Sequence, residues 1–185
     1  MNKRKTFTKE ELRAYAGQPI SDVIAPNLKV LFCGINPGLY SAATGYHFAR
    51  PGNRFWPALY AAGFTPAPYT PAEEMKLLEL GYGITNVVAR STATAAEISK
   101  AEFTEGGVLL RKRVLHYRPK WLAVVGIQAF RLAFDRPGAT VGPQPESIGD
   151  TAVWVLPNPS GLNAHYTPAR FAEVFRELRL AAETS

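Results

Sequence analysis

The stretch 30–38 reads VLFCGINPG and constrains the fold more than any other part of the chain. Residues 30–33 are apolar and read as a buried strand. Glycine and proline at the density found in residues 34–38 cannot continue a strand interior. Asn36 therefore lies on a tight turn just past the carboxyl end of a strand, where ligands bind in open α/β sheets. Because asparagine is also a common turn residue, this stretch alone leaves open whether Asn36 caps a turn or contacts a ligand.

A second turn of the same type follows the last apolar run of the chain. Residues 152–156 read AVWVL and are predicted as a buried strand, and the following loop contains Asn158-Pro159-Ser160-Gly161. Since the carboxyl ends of parallel strands meet at one edge of a sheet, both Asn-Pro turns are expected at one cleft. This convergence favours a shared site over two independent turn caps.

Short apolar runs alternate with helical patterns along the chain. Buried strands are predicted at 30–33, 83–88, 121–126 and 152–156, and helices at 54–62, 70–80, 99–117, 128–134 and from 167 onward. This alternation predicts an α/β fold, a three-layer α/β/α sandwich around a central, mostly parallel sheet of four or five strands. The segment 135–150 is predicted as an irregular connection with at most a minor strand. Residues 1–20 are predicted as a loose basic tail with a short helix capped by Thr8, and 21–185 as a single domain.

The bulk properties limit the partners and the compartment. A net charge of +6 suits an anionic partner such as nucleic acid, or serves solubility alone. The one cysteine, Cys33, excludes a disulfide within the chain and a cluster held by four thiolates. No apolar stretch approaches the roughly 18 residues of a membrane span, and the N-terminus lacks the apolar core of a signal peptide. We expect a soluble, cytoplasmic protein that does not bind membranes.

Residues 39–53 form a connection too long for an ordinary link, and loops of such length are often functional. This loop and the one after residue 156 contain no nucleophile with a partnered base and no P-loop pattern. His47 and His165 are single histidines without ligand spacing, so we expect no metal and no cofactor. Amides, hydroxyls, backbone N–H groups and aromatic rings remain. These groups suit a planar heterocycle, on which a ring stacks while amides read its edge and place a water.

Three segments carry a resemblance to a known family: VLFCGINPGL at 30–39, NRFW at 53–56 and VWVLPNPSGL at 153–162. Together they resemble the mismatch-specific uracil-DNA glycosylases, bacterial relatives of thymine-DNA glycosylase in the uracil-DNA glycosylase superfamily. The resemblance implies double-stranded DNA with a G·U mispair as partner, and hydrolytic excision of a flipped-out uracil that leaves an abasic site. It admits thymine and some alkylated pyrimidines opposite guanine as further substrates. Flipping costs least at a mispaired base.

The resemblance also implies roles for individual residues. Asn36 is expected to position the attacking water, and Phe48 to stack on the flipped base. The remaining contacts to the base are expected from Ile35, Tyr40, Ser41 and Asn158. The wedge that fills the gap in the duplex and reads the opposite strand is expected from Gly161, Leu162 and Asn163. Gly34 and Gly38 bound a turn whose backbone N–H groups are expected to stabilise the leaving pyrimidine anion.

The residue types also set limits on the chemistry. An amide cannot take up a proton as a carboxylate can, so Asn36 should activate water weakly and turnover should be slow. Neither loop contains a lysine, so we expect a monofunctional enzyme without lyase activity. Residues 91–96 carry no carboxylate, and the next acid is Glu97. Ala164 stands where some relatives place an arginine, which leaves guanine recognition to Asn163 or His165.

Two other classes of function compete with a DNA glycosylase. The missing strong base is compatible with a non-hydrolytic module that binds mismatches or lesions. A hydrolase of small nucleosides is the third possibility. A leucine on an exposed loop and the net charge of +6 favour a duplex partner, bound by a monomer. Phosphate contacts would fall to basic residues around the cleft, with Arg50, Lys100, Arg111 and Arg170 as candidates.

Overall fold

The structure is a computed structural model that describes residues 6–184. One sheet contains five strands: β1 (Val30–Gly34), β2 (Tyr82–Asn86), β3 (Trp121–Val125), β4 (Gly142–Ile148) and β5 (Thr151–Leu156). The strand order is β2-β1-β3-β5-β4, and every neighbouring pair is parallel except β4 with β5. The predicted α/β sandwich around a mostly parallel sheet is confirmed.

Six α-helices accompany the strands within the described residues: α1 (Lys9–Arg13), α2 (Leu39–Thr44), α3 (Phe55–Ala61), α4 (Lys100–Tyr117), α5 (Ile127–Phe134) and α6 (Pro168–Glu183). Two 3₁₀ helices span Pro71–Leu80 and Ala95–Glu97. The predicted cap at Thr8 is present, and Thr8, Thr70 and Ser99 each form a capping box with the glutamate three residues on. None of the helices in residues 6–184 is long and apolar enough to cross a membrane.

Side chains alternate between two cores along β1, an interior strand of the sheet, as the pleat of a strand requires. Phe32 of β1 packs on the face covered by α3 and α6, where its ring meets Phe55 and Phe175. Leu31 and Cys33 point to the opposite face, into the core formed with α4 and α5. Burial of a side chain the size of Phe32 contributes about 1.5–3 kcal/mol. The sheet is therefore fixed from both sides.

The strand order locates a crevice at the carboxyl edge of the sheet. From β1 the chain moves to β2 on one side, and it then returns to place β3 on the other side. Such a reversal of direction opens a crevice outside the carboxyl ends of the two strands. Asn36 follows the end of β1 and so lies at this switch point.

Three predicted segments differ from the structure. The 39–53 connection is not all loop, because residues 39–44 form α2 between Gly38 and Gly45. The 70–80 helix is a 3₁₀ helix. The 135–150 segment contains a full strand, β4, which pairs antiparallel at the sheet edge. Its sequence, GPQPESI, contains two prolines and few apolar residues. An edge strand tolerates both features, but neither is typical of a buried strand, so the apolar pattern does not predict β4.

The described part of the N-terminal segment, for which the sequence predicts a loose tail, is hydrogen-bonded to the rest of the domain. The Ser91 hydroxyl donates to the Tyr15 carbonyl, and the Ser91 backbone exchanges hydrogen bonds with Gly17 and Gln18. The centroids of the Phe7 and Tyr40 rings lie 5.4 Å apart in an edge-to-face arrangement. Lys3, Arg4 and Lys5 of the basic tail lie outside the described residues.

Candidate active site

A cleft of about 370 Å³ lies at the switch point of the sheet. Both Asn-Pro turns line it, as do parts of the 39–53 segment and the residues that follow β2. Its volume is in the range of small-molecule sites. The sequence-predicted residues that line it are Ile35, Asn36, Gly38, Ser41, Phe48, Asn158, Gly161 and Leu162. The expected convergence of the two turns on one cleft is therefore found.

The Asn36 side chain is held at one end only. Its Nδ2 donates to the Arg90 carbonyl at 2.9 Å and to the Thr92 hydroxyl at 2.8 Å. A carbonyl can only accept a hydrogen bond. The Thr92 hydroxyl donates its own proton to the Thr94 carbonyl at 2.8 Å, so toward Asn36 it also acts as an acceptor. These two acceptors therefore identify the end of the Asn36 amide that carries the nitrogen. In the described chain no group donates to Asn36 Oδ1. The side chain therefore offers an oriented acceptor to the cleft.

Asn158 is held in the opposite way. Its Oδ1 accepts from the Ser160 backbone N–H at 2.9 Å, which closes an Asx-turn over the next two residues. Its backbone carbonyl accepts from Asn163 Nδ2 at 3.0 Å. Within residues 6–184 no acceptor binds Asn158 Nδ2, and the residue is exposed. Asn158 therefore offers a donor to the cleft, where Asn36 offers an acceptor.

Phe48 is held in a rare backbone conformation. Its φ of 51° is in the left-handed region, which costs about 1–3 kcal/mol for a residue with a side chain. The preceding residue, His47, is buried and fixes this conformation. Its N–H and Nδ1 both bind Glu74 Oε2, at 2.8 and 3.0 Å, and its carbonyl accepts from Trp56 Nε1 at 3.0 Å. One face of the Phe48 ring stacks on Phe55 at 4.0 Å, and the half-buried ring lines the cleft.

Gly34 is the last residue of a strand and not part of the predicted turn, and it shapes the cleft because it has no side chain. It is the last residue of β1, and its carbonyl accepts from the Val87 N–H in the strand ladder. A Cβ here would lie 2.6 Å from Asn86 Oδ1 and 3.1 Å from the Phe48 ring. Glycine therefore lets an amide and an aromatic ring meet at the floor of the cleft.

Asn86 is a candidate that the sequence reasoning missed. It is the last residue of β2, is 9% exposed and lines the cleft. In residues 6–184 no group hydrogen-bonds its side-chain amide, although its backbone carbonyl accepts from Arg113. A nearly buried amide without a partner is costly unless a ligand or water completes its bonds. The predicted strand, 83–88, placed Asn86 inside the strand, whereas β2 ends at Asn86 and so brings its side chain to the carboxyl edge of the sheet.

The structure separates Tyr40 from the other predicted base-binding residues. Tyr40 does not line the cleft; it lines a second cavity of about 790 Å³ and packs against Phe7. Ser41, one residue later, is buried at the cleft, and its Oγ accepts from the Ala49 N–H at 3.2 Å. One residue of offset in α2 turns the two side chains to different faces. Ile35 and Gly38 lie at the cleft as predicted.

Residues 158–166, named here the wedge loop, present an apolar side chain to solvent. Leu162 is 83% exposed, more than any other large hydrophobic residue of the described chain. Such a side chain is not a core contact of α6. Gly161 is exposed beside it, while the Asn163 amide is used inside the loop, where it binds the Asn158 carbonyl and the His165 N–H.

The charges around the cleft are basic. No carboxylate and no lysine of residues 6–184 lines it, and Arg50 is its one arginine. The carboxylate of Glu97, the first acid after residues 91–96, accepts a hydrogen bond from the Thr94 N–H in a capping box. Burial raises the pKa of the Cys33 thiol, which rules against a cysteine nucleophile. The site can hold and orient a neutral heterocycle and a water, and the one histidine that lines it, His47, is bound through Nδ1 to Glu74 at 3.0 Å.

Two other candidate phosphate contacts are already engaged. Arg170 forms an ion pair with Glu173 at 2.9 Å, and the Arg111 guanidinium lies 4.4 Å from the centre of the Phe134 ring. Lys100 is exposed at the start of α4. Arg50 is therefore the candidate best placed to meet a phosphate next to the cleft.

The sequence and the fold of this chain both resemble those of known proteins. The family model of the uracil DNA glycosylase superfamily matches residues 21–179. The chain belongs to this superfamily, whose members are DNA glycosylases. The fold is also similar to the solution NMR structure of a candidate uracil DNA glycosylase from Methanosarcina acetivorans, with a TM-score of 0.57 and 18% sequence identity over 88% of this chain and 98% of that one.

Proposed function

We propose that this protein is a mismatch-specific DNA glycosylase that excises uracil opposite guanine in duplex DNA and leaves an abasic site. One observation supports this most: the Asn36 amide is anchored through Nδ2, and its free Oδ1 lies in the same cleft as the Phe48 ring. A water held by that oxygen and a base stacked on that ring are the two reactants of base hydrolysis. The proposal includes action as a monomer in the cytoplasm.

The flipped uracil would stack on the open face of Phe48, because Phe55 covers the other face. The amide of Asn86 would pair with the O4 and N3–H edge of the base. This pairing would supply the partner that the nearly buried amide lacks in the described chain. Thymine and alkylated pyrimidines present a similar edge and are proposed as further substrates.

Bond cleavage would place positive charge on the sugar and leave the base as an anion. The electron pair of the glycosidic bond departs with the pyrimidine. Asn158 Nδ2 is a free donor near this charge, and the backbone N–H groups after β1 are proposed as further donors. The water on Asn36 Oδ1 then bonds to C1′ of the sugar, and its proton passes to the base or to solvent.

The same site explains the proposed limits of the reaction. Asn36 accepts a hydrogen bond but takes no proton at neutral pH, so water activation is weak and excision is slow. No lysine of residues 6–184 lines the cleft to form a Schiff base with the sugar. We therefore propose a monofunctional enzyme that does not cleave the DNA strand.

The test uses a duplex with a single G·U pair under single-turnover conditions, followed by alkali to cleave abasic sites. Strand cleavage after alkali, and none without it, is the expected result. No product after prolonged incubation, with binding to the mismatch retained, would instead support a mismatch-binding module, which the absence of a cleft carboxylate favours. Release of uracil from free deoxyuridine but not from duplex would point to a nucleoside hydrolase.

A further inference from the structure

Arg54 stands at the junction between the two segments that form the cleft. It immediately precedes α3, and its side chain is half-buried. Its guanidinium donates to three backbone carbonyls of the wedge loop, those of Gly161 and Asn163 at 3.1 Å and that of Tyr166. Its own backbone N–H donates to the Pro159 carbonyl at 2.9 Å. One residue thus binds the loop at four points.

These four bonds attach the wedge loop to the domain. In residues 6–184, every hydrogen bond that joins 158–166 to another segment has Arg54 as its donor. The other hydrogen bonds of the loop are internal, such as those of Asn158 and Asn163. The loop also lies directly against the preceding segment, because a Cβ on Gly161 would come within 2.8 Å of the Gly52 carbonyl oxygen.

Arginine suits this task for a geometric reason. Its planar guanidinium presents five donors in a rigid fork, whereas a lysine ammonium is a point charge on a flexible stem. Arg54 has no ion pair with a carboxylate of the described chain, and its guanidinium hydrogen bonds go to the three loop carbonyls. Without a cation between them, these carbonyl oxygens would repel one another and the loop would change shape.

The bonds flank the exposed side chain at the tip of the loop. Leu162 lies between Gly161 and Asn163, and Arg54 holds the carbonyls of both neighbours. The next residue in the chain, Phe55, supports the Phe48 ring. Arg54 and Phe55, at the start of α3, therefore contact both the wedge loop and the ring proposed to stack on the flipped base.

We propose that Arg54 is a positioning residue for base extrusion: it sets the wedge loop so that Leu162 enters the duplex as the target base leaves the stack. An ordered wedge matters when a base must be displaced, because a flexible loop would lose conformational entropy on insertion. This inference rests on the proposed binding of duplex DNA. It predicts that loss of Arg54 impairs extrusion and leaves the hydrolytic groups intact.

The experiment measures extrusion without catalysis. A fluorescent purine analogue that brightens on unstacking is placed beside the uracil of a G·U duplex, and the protein carries Asn36→Ala so that the uracil is not removed. Arg54→Ala and Arg54→Lys are added in this background. The matched control is Arg176→Ala, because Arg176 donates to the Ala61 carbonyl at the other end of α3. Leu162→Ala gives the signal of a lost wedge.

At saturating protein we expect Arg54→Ala to lower the fluorescence rise by about tenfold, since several charge-assisted hydrogen bonds are lost. The fluorescence rise with Leu162→Ala should be as small as that with Arg54→Ala. The rise with Arg54→Lys should be intermediate, and the rise with Arg176→Ala should equal that of the parent, Asn36→Ala. Melting temperatures identify a variant that fails to fold, in which case Arg54→Lys decides. An equal rise in the Arg54 and Arg176 variants, or no rise in the parent, would overturn the proposal. Failure of the glycosylase function is seen separately, as absence of alkali-labile product with the wild type.

Discussion

The two Asn-Pro turns look alike in sequence and are held in opposite ways in the structure. At the first turn, the amide nitrogen of Asn36 is bound by the Arg90 carbonyl and the Thr92 hydroxyl, and its oxygen is left to the cleft. At the second, the amide oxygen of Asn158 is bound by the Ser160 N–H, and its nitrogen is left. The same dipeptide thus supplies an acceptor on one side of the cleft and a donor on the other.

This difference follows from what surrounds each turn. The turn of Asn36 lies between β1 and the segment after β2, so other parts of the chain reach its side chain. The turn of Asn158 opens an exposed loop whose internal hydrogen bonds are short-range, and the side chain bonds to its own backbone as asparagine does in turns. A residue held by distant segments can keep a fixed direction for chemistry, whereas the Nδ2 of Asn158 is positioned only by the loop that its oxygen closes.

The largest expected effect is at the acceptor. Asn36→Ala should lower the single-turnover excision rate from a G·U duplex by about 10³-fold, since it removes the group that orients the water. Binding to the duplex, measured by fluorescence anisotropy, should change little. Undiminished excision would show that Asn36 does not take part in the mechanism. The difference in hydrogen bonding between the two turns would then have no role in catalysis.

A smaller effect is expected at the donor, and two substitutions separate its roles. Asn158→Asp keeps the oxygen that binds the Ser160 N–H and removes the Nδ2 donor, whereas Asn158→Ala removes both. If the donor stabilises the leaving base, both variants should lose about tenfold in single-turnover excision. An aspartate variant as active as the wild type would show that Asn158 only shapes the loop.

The anchoring of Asn36 can be weakened without touching its oxygen. Thr92→Val removes one of the two acceptors of Nδ2 and should lower excision by about fivefold, the effect of one hydrogen bond. Thr44→Val is the control, because the Thr44 hydroxyl binds carbonyls within α2 and does not line the cleft. Equal rates for the two valine variants would show that the Thr92 contact does not orient the amide.

The smallest effect is the pH dependence of stability that comes from the ion pair of Arg90, the residue whose carbonyl binds Asn36. Arg90, whose carbonyl binds Asn36, forms an ion pair with Glu102, and Arg90 and Ser99 together lower the pKa of Glu102 to about 2. Because this pKa is depressed, the stabilisation is complete above the ordinary value of about 4.5 and is lost as pH falls toward about 2. Melting curves of wild type and Glu102→Gln should therefore differ at neutral pH and converge in strong acid. A constant difference throughout would contradict the pairing.

Much of the fold could be predicted because local patterns agree with the tertiary structure. Buried runs marked β1, β3 and β5, and capping boxes marked the starts of α1 and α4. The strand β4 escaped because its pairing is specified by its neighbour β5 rather than by its own apolar pattern. The short helix α2 escaped because six residues are too few to show a helical period.

The sequence predicts where the candidate site lies, but only partly how its side chains are hydrogen-bonded. Both Asn-Pro turns marked the correct edge of the sheet, because that edge follows from strand direction alone. The opposite anchoring of Asn36 and Asn158 depends on Thr92, Arg90 and Ser160, whose approach no local pattern reveals. For the same reason the role of Arg54 was hidden: its partners are carbonyls more than 100 positions away in the chain.

The most direct measurement compares both alanine variants on one duplex. Single-turnover excision from a G·U duplex is followed by alkali for wild type, Asn36→Ala and Asn158→Ala, with binding measured in parallel. We expect complete product with the wild type, a loss of about tenfold in Asn158→Ala and of about 10³-fold in Asn36→Ala, with binding retained in both. Equal losses in the two variants, or no product with the wild type, would contradict the assignment of Asn36 as the residue that places the water.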